Sequence, residues 1–380
     1  MKKKYLFTPG PTTVPPECLL AMAQPIIHHR TPEYKEIFAE VRENLKSVFK
    51  TENEVLTFAA SGTGAMEAAV SNLLSRTDKI IVVEGGKFGE RFTEIAESFG
   101  IETIPIDVEW GKAVKPEVIR KKLEENSDVK AVFTTMCETS TGVVNDIQEI
   151  AGIAGKFNAV LVVDAISALG SMELKTDEWQ VDVVISGSQK GLMIPPGLSF
   201  VSVSDKGWDL VEKSNLPKYY FDFKKALKAQ TESDSAFTPA ISLIIGLREA
   251  LRMIKEEGID NVISRHACLA EATRQAMKNL DLELLAERPS NSVTAVKVPP
   301  KIDGAELVKR LRGKGISIAG GQAKLKGKIF RLAHMGYMNK FDVLQMISAV
   351  ELELGEMGFV SEAGKAVQAA EKFFLQEKDK

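Results

Sequence analysis

The strongest constraint on the fold is a regular alternation of short apolar runs and amphipathic helical patterns between residues 55 and 204. The apolar runs that predict strands are EVLTFAA, KIIVVEGG, IETIPIDV, VKAVFTTM, NAVLVVDA, VDVVISGS and LSFVSVS. Most of them are too uniformly apolar to face water on one side, which is typical of parallel sheets covered on both faces. The alternation therefore predicts an α/β fold with a mainly parallel seven-stranded sheet and helices on both of its faces.

The pattern changes after about residue 239, where two long helical patterns precede a mixture of shorter strands and helices. A chain of 380 residues is most naturally two domains. The proline- and glycine-rich beginning predicts an extended arm, and the charged tail EKFFLQEKDK predicts a frayed end. We expect an N-terminal arm over residues 1–15, a large domain over residues 16–255 and a small α+β domain over residues 256–380.

Composition excludes several classes of partner. The 49 basic and 52 acidic residues are interspersed, which does not favour a nucleic-acid or membrane-surface protein. The basic start is interrupted by proline and glycine before an export signal can form, and no apolar stretch reaches the roughly 20 residues of a membrane span. The three cysteines, Cys18, Cys137 and Cys268, are too far apart to indicate disulfides or a zinc site. We expect a cytoplasmic protein without a metal.

Polar residues at the carboxyl ends of the predicted strands are the first candidates for a site, because ligands of open parallel sheets bind there. One strand runs through Ser61-Gly62-Thr63-Gly64 directly into a helix, where glycines and free N–H groups favour a phosphate. Glu67 replaces the third glycine of a dinucleotide motif, and the lysine of a Walker loop is absent. A phosphate cradle and a tight turn with a threonine N-cap both remain open.

Three further positions carry charged groups in predicted strands or at their ends. Asp164 ends the run LVVD, where it could cap a helix, pair with a structural arginine or meet a cationic group of a ligand. Lys190, in ISGSQKGLMIPPG, is either a loop residue or a desolvated, nucleophilic amine. Arg331, in KIFRLAHMG, could pair with an acidic neighbour or bind a carboxylate bidentately. Together with the cradle, these are the groups that a pyridoxal phosphate enzyme acting on amino acids needs.

The motifs resemble those of class V aminotransferases of fold type I, and they are similar to the serine–pyruvate and alanine–glyoxylate enzymes. In family order they are TPGPT, SGTGAMEA, GGKFGER, CETSTGV, VVDAISALG, SGSQKGLMIPPG, FTPAISL and FRLAHMG, spread over nearly the whole chain. The resemblance implies pyridoxal 5′-phosphate as cofactor and a transaminase acting on small amino acids, alanine or serine, with glyoxylate or pyruvate as acceptor. It also implies a homodimer with shared active sites.

The resemblance also implies a role for each matching residue. Lys190 would form the Schiff base and move the substrate proton, and Asp164 would pair with the pyridine nitrogen. The other implied cofactor contacts are Thr63, Gly64, Ala65 and Gln189 at the phosphate, Phe88 and Ile166 on the two ring faces, and Thr139 near the ring hydroxyl. Thr238 would reach the phosphate of the partner subunit. Arg331 would bind the substrate carboxylate, assisted by the arm at Gly10.

The substrate is complicated by His28, His29 and Arg30, which we call the basic cluster. It resembles the His-Arg pair of phosphoserine aminotransferases, so phosphoserine or aspartate is the alternative donor if His29 and Arg30 face the cleft; a solvated loop is the other interpretation. A cysteine desulfurase is a weaker rival. It needs a mobile cysteine in the C-terminal half, and only Cys268, inside a predicted helix, lies there.

Overall fold

A computed structural model describes residues 3–360 and 362–377 of the chain. Its strands are β1 Tyr5–Leu6, β2 Val55–Phe58, β3 Lys79–Glu84, β4 Glu102–Asp107, β5 Val129–Thr135, β6 Cys137–Glu138, β7 Val143–Val144, β8 Val160–Asp164, β9 Val183–Gly187, β10 Ser199–Val203, β11 Val293–Lys297, β12 Ile316–Ser317, β13 Ala319–Gly320 and β14 Ile329–Ala333.

The helices are α1 Pro16–Met22, α2 Pro32–Phe49, α3 Gly62–Leu73, α4 Lys87–Ser98, α5 Pro116–Glu125, α6 Ile147–Lys156, α7 Asp205–Lys213, α8 Phe223–Gln230, α9 Ile241–Glu257, α10 Ile259–Asn279, α11 Gly304–Gly313, α12 Lys340–Glu356 and α13 Lys365–Gln376, with a 3₁₀ turn at Ala323–Leu325. Among the described residues, no helix is both long and apolar enough to cross a bilayer.

The central sheet has seven strands in the order β2-β10-β9-β8-β5-β3-β4. Only β10 runs antiparallel to its neighbours, and the pairs from β9 to β4 are parallel. All seven predicted strands are therefore present, and the prediction of a mainly parallel seven-stranded sheet is confirmed. The sheet brings the carboxyl ends of β3, β5, β8 and β9 to one edge, where polar residues follow each strand.

Alternation of side chains along the strands explains why helices cover both faces. In β3, the fully buried Ile80 and Val82 belong to a core that includes residues of α3 and α4. Their neighbours Ile81 and Val83 belong to a second core, with residues of α2, α5, α6 and α9. Because successive side chains of a strand point to opposite faces, an unbroken apolar run needs apolar partners on both sides.

The C-terminal part forms its own antiparallel sheet, β11-β14-β13, and its own core, which includes residues of α10, α11, α12 and α13. The prediction of a frayed tail is wrong for residues 371–376, which continue the helix α13, and residues 378–380 of that tail lie outside the described residues. Ala366 and Ala370, one turn apart in that helix, are fully buried. Their packing against the C-terminal core stabilises the helix although charged residues surround them. The bounds 1–15, 16–255 and 256–380 stay predictions.

The N-terminal arm connects the small sheet to the loop after β9. Its strand β1 pairs in parallel with β12 in a separate two-stranded sheet, and the carbonyl of Phe7 accepts from the amide of Ala333 in β14 at 3.1 Å. Further along, the amide of Thr12 donates to the carbonyl of Gln189 at 3.1 Å. The arm is thus tied at both ends, and it passes directly over the segment that carries Lys190.

Candidate active site

Lys190 lies in a compact loop between β9 and β10. Ser188 holds this loop together, because its Oγ donates to the carbonyl of Pro195 at 2.7 Å and accepts from the amide of Leu198 at 3.2 Å. Lys190 is 9% exposed, and its Nζ donates to the carbonyl of Pro9 in the arm. Burial lowers the pKa of the Lys190 amine to about 8, although the nearby Asp164 carboxylate opposes this shift.

The arm forms one wall of the lysine site. The hydroxyl of Thr12 donates to the carbonyl of Lys190 at 3.1 Å, and Gly10 lies against the end of the lysine side chain. A Cβ added at Gly10 would approach Nζ to 2.4 Å, and the residue has a φ of +127°, which side chains rarely adopt. Gly10 therefore has both a steric and a conformational reason to be glycine.

Asp164 ends β8 and is 3% exposed. Its Oδ1 accepts from the amide of Ile166 at 2.7 Å, whereas Oδ2 has no hydrogen-bond partner among the described residues. Burial raises the pKa of Asp164 to about 7, against the effect of the Ile166 amide, and the Glu138 carboxylate adds to the rise. A cationic ring nitrogen beside Oδ2 would keep this carboxylate ionised.

Arg331 projects from β14 and is 5% exposed. Its Nε donates to the carbonyl of Gly320 at 3.0 Å and its Nη1 to the carbonyl of Thr139 at 2.8 Å. Burial lowers the pKa of the guanidinium to about 10, so it still carries a charge at neutral pH. In the described chain no carboxylate lies within ion-pair distance of it, and Nη2 has no hydrogen-bond partner. The guanidinium is therefore able to bind an incoming carboxylate. Lys190, Asp164 and Arg331 are the residues that we call the buried centre.

The segment that predicted a phosphate cradle begins α3. Ser61, not Thr63, is the N-cap residue, and its side chain makes no capping hydrogen bond, so the interpretation as a threonine N-cap is wrong. The hydroxyl of Thr63 instead accepts from Nη1 of Arg91 at 3.1 Å. Gly64 and Ala65 follow in the first turn. The amide of Gly64 donates to the carbonyl of Ser61 at 2.8 Å, which leaves the amides of Gly62 and Thr63 available to an anion.

The remaining predicted cofactor contacts have these positions. A Cβ added at Gly62 would come within 2.5 Å of Ile166, so the Ile166 side chain covers the start of α3. Phe88 is half-buried in the first turn of α4, 4.8 Å from the guanidinium of Arg91. Thr139 is buried, and its hydroxyl lies 2.6 Å from that of Ser167.

Several polar atoms without a partner lie together in this region. Oε1 of Gln189 is buried without a hydrogen-bond partner, although buried polar atoms are normally paired. The N-terminal amides of α3 and Oδ2 of Asp164 are further open groups. This set suits a molecule with a phosphate and a basic ring nitrogen, and Lys190 supplies the amine that could bind its aldehyde. The residues therefore fit pyridoxal phosphate.

Four predicted residues lie apart from the buried centre within this single chain. Thr238 is exposed and borders a different cavity, lined by Phe58, Tyr220 and Phe237 among others. In the basic cluster the rings of His28 and His29 stack at 4.7 Å, and Arg30, with a side chain 65% exposed, lies 3.6 Å from Asp234. The chain by itself does not bring these residues to Lys190.

Sequence reasoning missed three residues of the site. Arg91 contacts both Thr63 and Phe88, Glu138 accepts from the first amides of α4, and Ser167 contacts the Thr139 hydroxyl. All three stand inside the motifs GGKFGER, CETSTGV and VVDAISALG. The available signal was a charged residue directly before Thr139 for Glu138, and one three positions after Phe88, on the same helix face, for Arg91; none marked Ser167.

Comparison with known proteins gives consistent matches over nearly the whole chain. The family model "Aminotransferase class-V" matches residues 4–343. A relative from Anabaena cylindrica named "Soluble hydrogenase 42 kDa subunit" is 44% identical, covering 97% of this chain and 98% of its own. A serine–glyoxylate aminotransferase from Methylorubrum extorquens is 36% identical, covering 98% and 96%. The crystal structure of ureidoglycine–glyoxylate aminotransferase from Bacillus subtilis superposes with a TM-score of 0.93 at 30% identity, covering 98% of each chain.

Proposed function

The chain belongs to the class V aminotransferases and is a pyridoxal-phosphate-dependent transaminase of fold type I, and on this premise we propose that it transfers the amino group of serine or alanine to glyoxylate. The observation that carries the proposal is the buried amine of Lys190 beside Asp164, with a pKa lowered to about 8. Pyruvate is the second acceptor. Two similar proteins are named as glyoxylate aminotransferases, which supports glyoxylate as the first acceptor.

The residues of this chain would divide the chemistry as follows. The bound cofactor supplies an electron-withdrawing ring that stabilises negative charge at the substrate α-carbon. Lys190 has a substantial neutral fraction near pH 8, so its Nζ can both bind the cofactor aldehyde and move the α-proton. Asp164, whose Oδ2 has no partner among the described residues, would hold a proton on the ring nitrogen. Arg331 orients the substrate through its carboxylate.

The phosphate and the ring faces would be held by residues outside the buried centre. Thr63, Gly64, Ala65 and Gln189 would surround the phosphate, and the free amides at the start of α3 would donate to it, because the helix N-terminus favours negative charge. Phe88 and Ile166 would contact the two ring faces, and Thr139 would lie near the ring hydroxyl. The arm at Gly10 excludes water from Nζ, because Pro9 and Gly10 cover it.

A neutral donor is favoured over the phosphoserine and aspartate alternatives. A second anionic group on the donor needs a second cation beside Arg331. The basic cluster does not supply it within this chain, because it lies at the surface and Arg30 is next to Asp234. The desulfurase rival is also disfavoured, because Cys268 is in helix α10 and partial burial raises its thiol pKa. These observations support a transaminase with a small neutral donor.

The hydrogenase name of one relative is not transferred to this chain. Iron–sulfur clusters need several cysteine thiolates close together. Cys18 and Cys137 are buried in a shared apolar core, and within the described residues no group of three or more His, Cys, Asp or Glu side chains could hold a metal ion. The described residues thus support amine chemistry at Lys190 and do not support the hydrogenase name.

We also propose that the protein is a cytoplasmic homodimer. Thr238 and its neighbour Tyr220 are exposed and apart from the buried centre, as expected if they complete the phosphate site of a partner subunit. The free cysteines suit a reducing compartment. Light scattering of the purified protein should give twice the 41.6 kDa chain mass, and a monomer at micromolar concentration would contradict the shared site.

The deciding experiment is a two-way substrate panel. Alanine, serine, aspartate and phosphoserine are each combined with glyoxylate, pyruvate and 2-oxoglutarate, and kcat/KM is measured for every pair. We expect serine or alanine with glyoxylate to exceed the acidic donors by at least about tenfold, a free-energy difference near 1.4 kcal/mol. A preference for phosphoserine or aspartate would select the alternative, and no transamination with any pair would reject the proposed function.

A further inference from the structure

Glu138 is a buried carboxylate for which neither the sequence motifs nor the chemistry above provides a role. It ends the short strand β6, is 1% exposed, and accepts hydrogen bonds with both oxygens. The amides of Phe88 and Gly89 donate to Oε2 at 3.1 and 3.0 Å. The amide and hydroxyl of Ser140 donate to Oε1 at 3.1 and 2.5 Å. Because all of these partners donate, the side chain acts as an acceptor-only carboxylate.

These hydrogen bonds connect two parts of the active site that are far apart in sequence. On one side the carboxylate fixes the first turn of α4, which carries Phe88. On the other side it fixes the Thr139–Ser140 turn, and the carbonyl of Thr139 accepts from Nη1 of Arg331 at 2.8 Å. A displacement of Glu138 would therefore move both the ring-stacking side chain and the main-chain group that orients Arg331.

The backbone around Glu138 is fitted closely to the carboxylate. A Cβ added at Gly86, just before α4, would come within 2.5 Å of both the Glu138 carboxyl carbon and the Ser140 hydroxyl. The start of α4 can lie this close to Glu138 and Ser140 only because residue 86 has no side chain. The amides at the N-terminus of α4 also carry partial positive charge, which stabilises an anion there.

The charge of Glu138 also acts on the buried centre. Among the described residues no cationic side chain lies within ion-pair distance of it, and its charge acts on both Arg331 and Asp164. Burial raises the pKa of Glu138, while Ser140, Gly89 and Phe88 oppose that rise. The carboxylate in turn favours the charged form of Arg331 and raises the pKa of Asp164.

We propose that Glu138 is a positioning residue, whose carboxylate holds Phe88 against the cofactor ring and holds Arg331 ready for the substrate carboxylate. The inference rests on the proposed function. It predicts that removing the carboxylate weakens substrate binding and tilts the ring, with less effect on the chemical step.

The test compares Glu138→Gln with Glu353→Gln in the cofactor-loaded enzyme. Glu353 is an equally buried carboxylate, 1% exposed, which pairs with Arg310 and Lys314 in the small domain. Three measurements are made: the steady-state kinetics (KM and kcat) of the best substrate pair, the visible circular dichroism of the bound cofactor, and the dissociation constant of acetate. Acetate is a non-reacting probe of Arg331. Ser140→Ala, which removes one donor, is a milder variant that decides the question if Glu138→Gln does not fold.

Glu138→Gln should raise KM and the acetate dissociation constant about tenfold, the effect of losing the hydrogen bond between the charged Arg331 and the Thr139 carbonyl. It should also change the dichroic band of the cofactor. Ser140→Ala should shift the same quantities in the same direction by less, and Glu353→Gln should shift none. The inference is overturned if Glu138→Gln, or Ser140→Ala in its place, matches Glu353→Gln in all three. A wild-type protein that neither binds pyridoxal phosphate nor transaminates would instead reject the proposed function.

Discussion

The buried centre and the basic cluster are two groups of charged side chains with opposite environments. Lys190, Asp164 and Arg331 are at most 9% exposed. Burial lowers the pKa of Lys190 and Arg331 and raises that of Asp164, which in each case favours the neutral form. In the basic cluster, Arg30 is 65% exposed and paired with Asp234. Chemical reactivity follows from desolvation rather than from the residue type, so the same kinds of cation act differently in the two places.

The largest expected effect comes from removing the central amine. Lys190→Ala should lower kcat by about 10⁴ or more, because nucleophile and proton carrier are lost together. Borohydride should fix the cofactor to wild-type Lys190, detected by peptide mass spectrometry, and should fix none in the variant. Lys218→Ala is the matched control, since partial burial also lowers the pKa of that lysine. Full activity in Lys190→Ala would abolish the distinction between the two regions.

Asp164→Asn tests the second member of the buried centre. The amide can still accept from Ile166 through one oxygen, so the loop should keep its shape while the negative charge is lost. We expect kcat to fall by about 10² to 10⁴, the usual range for a proton-holding group, with the cofactor still bound. Retention of kcat within threefold, measured alongside cofactor absorbance, would show that Oδ2 does not hold the ring nitrogen.

Arg331→Lys should act on binding more than on rate. The lysine keeps a charge but cannot bind a carboxylate bidentately or reach both Gly320 and Thr139. KM for donor and acceptor should rise by about 10- to 100-fold, with a smaller change in kcat. An unchanged KM for both substrates would mean that another cation binds the carboxylate, and Arg30 would be the first to examine.

The lowered pKa of Lys190 predicts how the cofactor-free protein captures pyridoxal phosphate. Only the neutral amine reacts, so the capture rate should rise about tenfold per pH unit below pH 8 and level off above it. Stopped-flow absorbance from pH 6 to 9.5 gives the midpoint. A rate that continues to rise through pH 9.5 would mean that the amine behaves as an exposed lysine does.

The smallest expected effect is at the basic cluster. Arg30→Ala removes an exposed ion pair, so the free energy of unfolding should change by less than about 1 kcal/mol. With serine or alanine as donor, kcat/KM should stay within about twofold, below a difference of 0.5 kcal/mol. A tenfold loss confined to aspartate or phosphoserine would instead assign the cluster to a substrate site, completed by a partner subunit.

Local patterns were enough to predict most of the architecture. The seven central strands, their mainly parallel arrangement and the helices between them follow from the period and length of the apolar runs. Lys190 and Asp164 became candidates because a charged residue after a buried strand is costly unless it has a use, and the family resemblance then implied their roles. The structure differs at α13, which includes residues 371–376 of the charged tail and packs through Ala366 and Ala370 against the C-terminal core.

What the sequence determined by itself is the set of elements and the chemical groups at their ends, because both depend on residues near one another in the chain. Only the tertiary structure decided which of those groups are desolvated and what holds them. The carbonyl of Pro9 that meets Lys190 is 181 residues away from it, and the Thr139 carbonyl that orients Arg331 is 192 residues away. The role of Glu138 depends on such distant partners, and a pKa is set by the total burial and charge around a group.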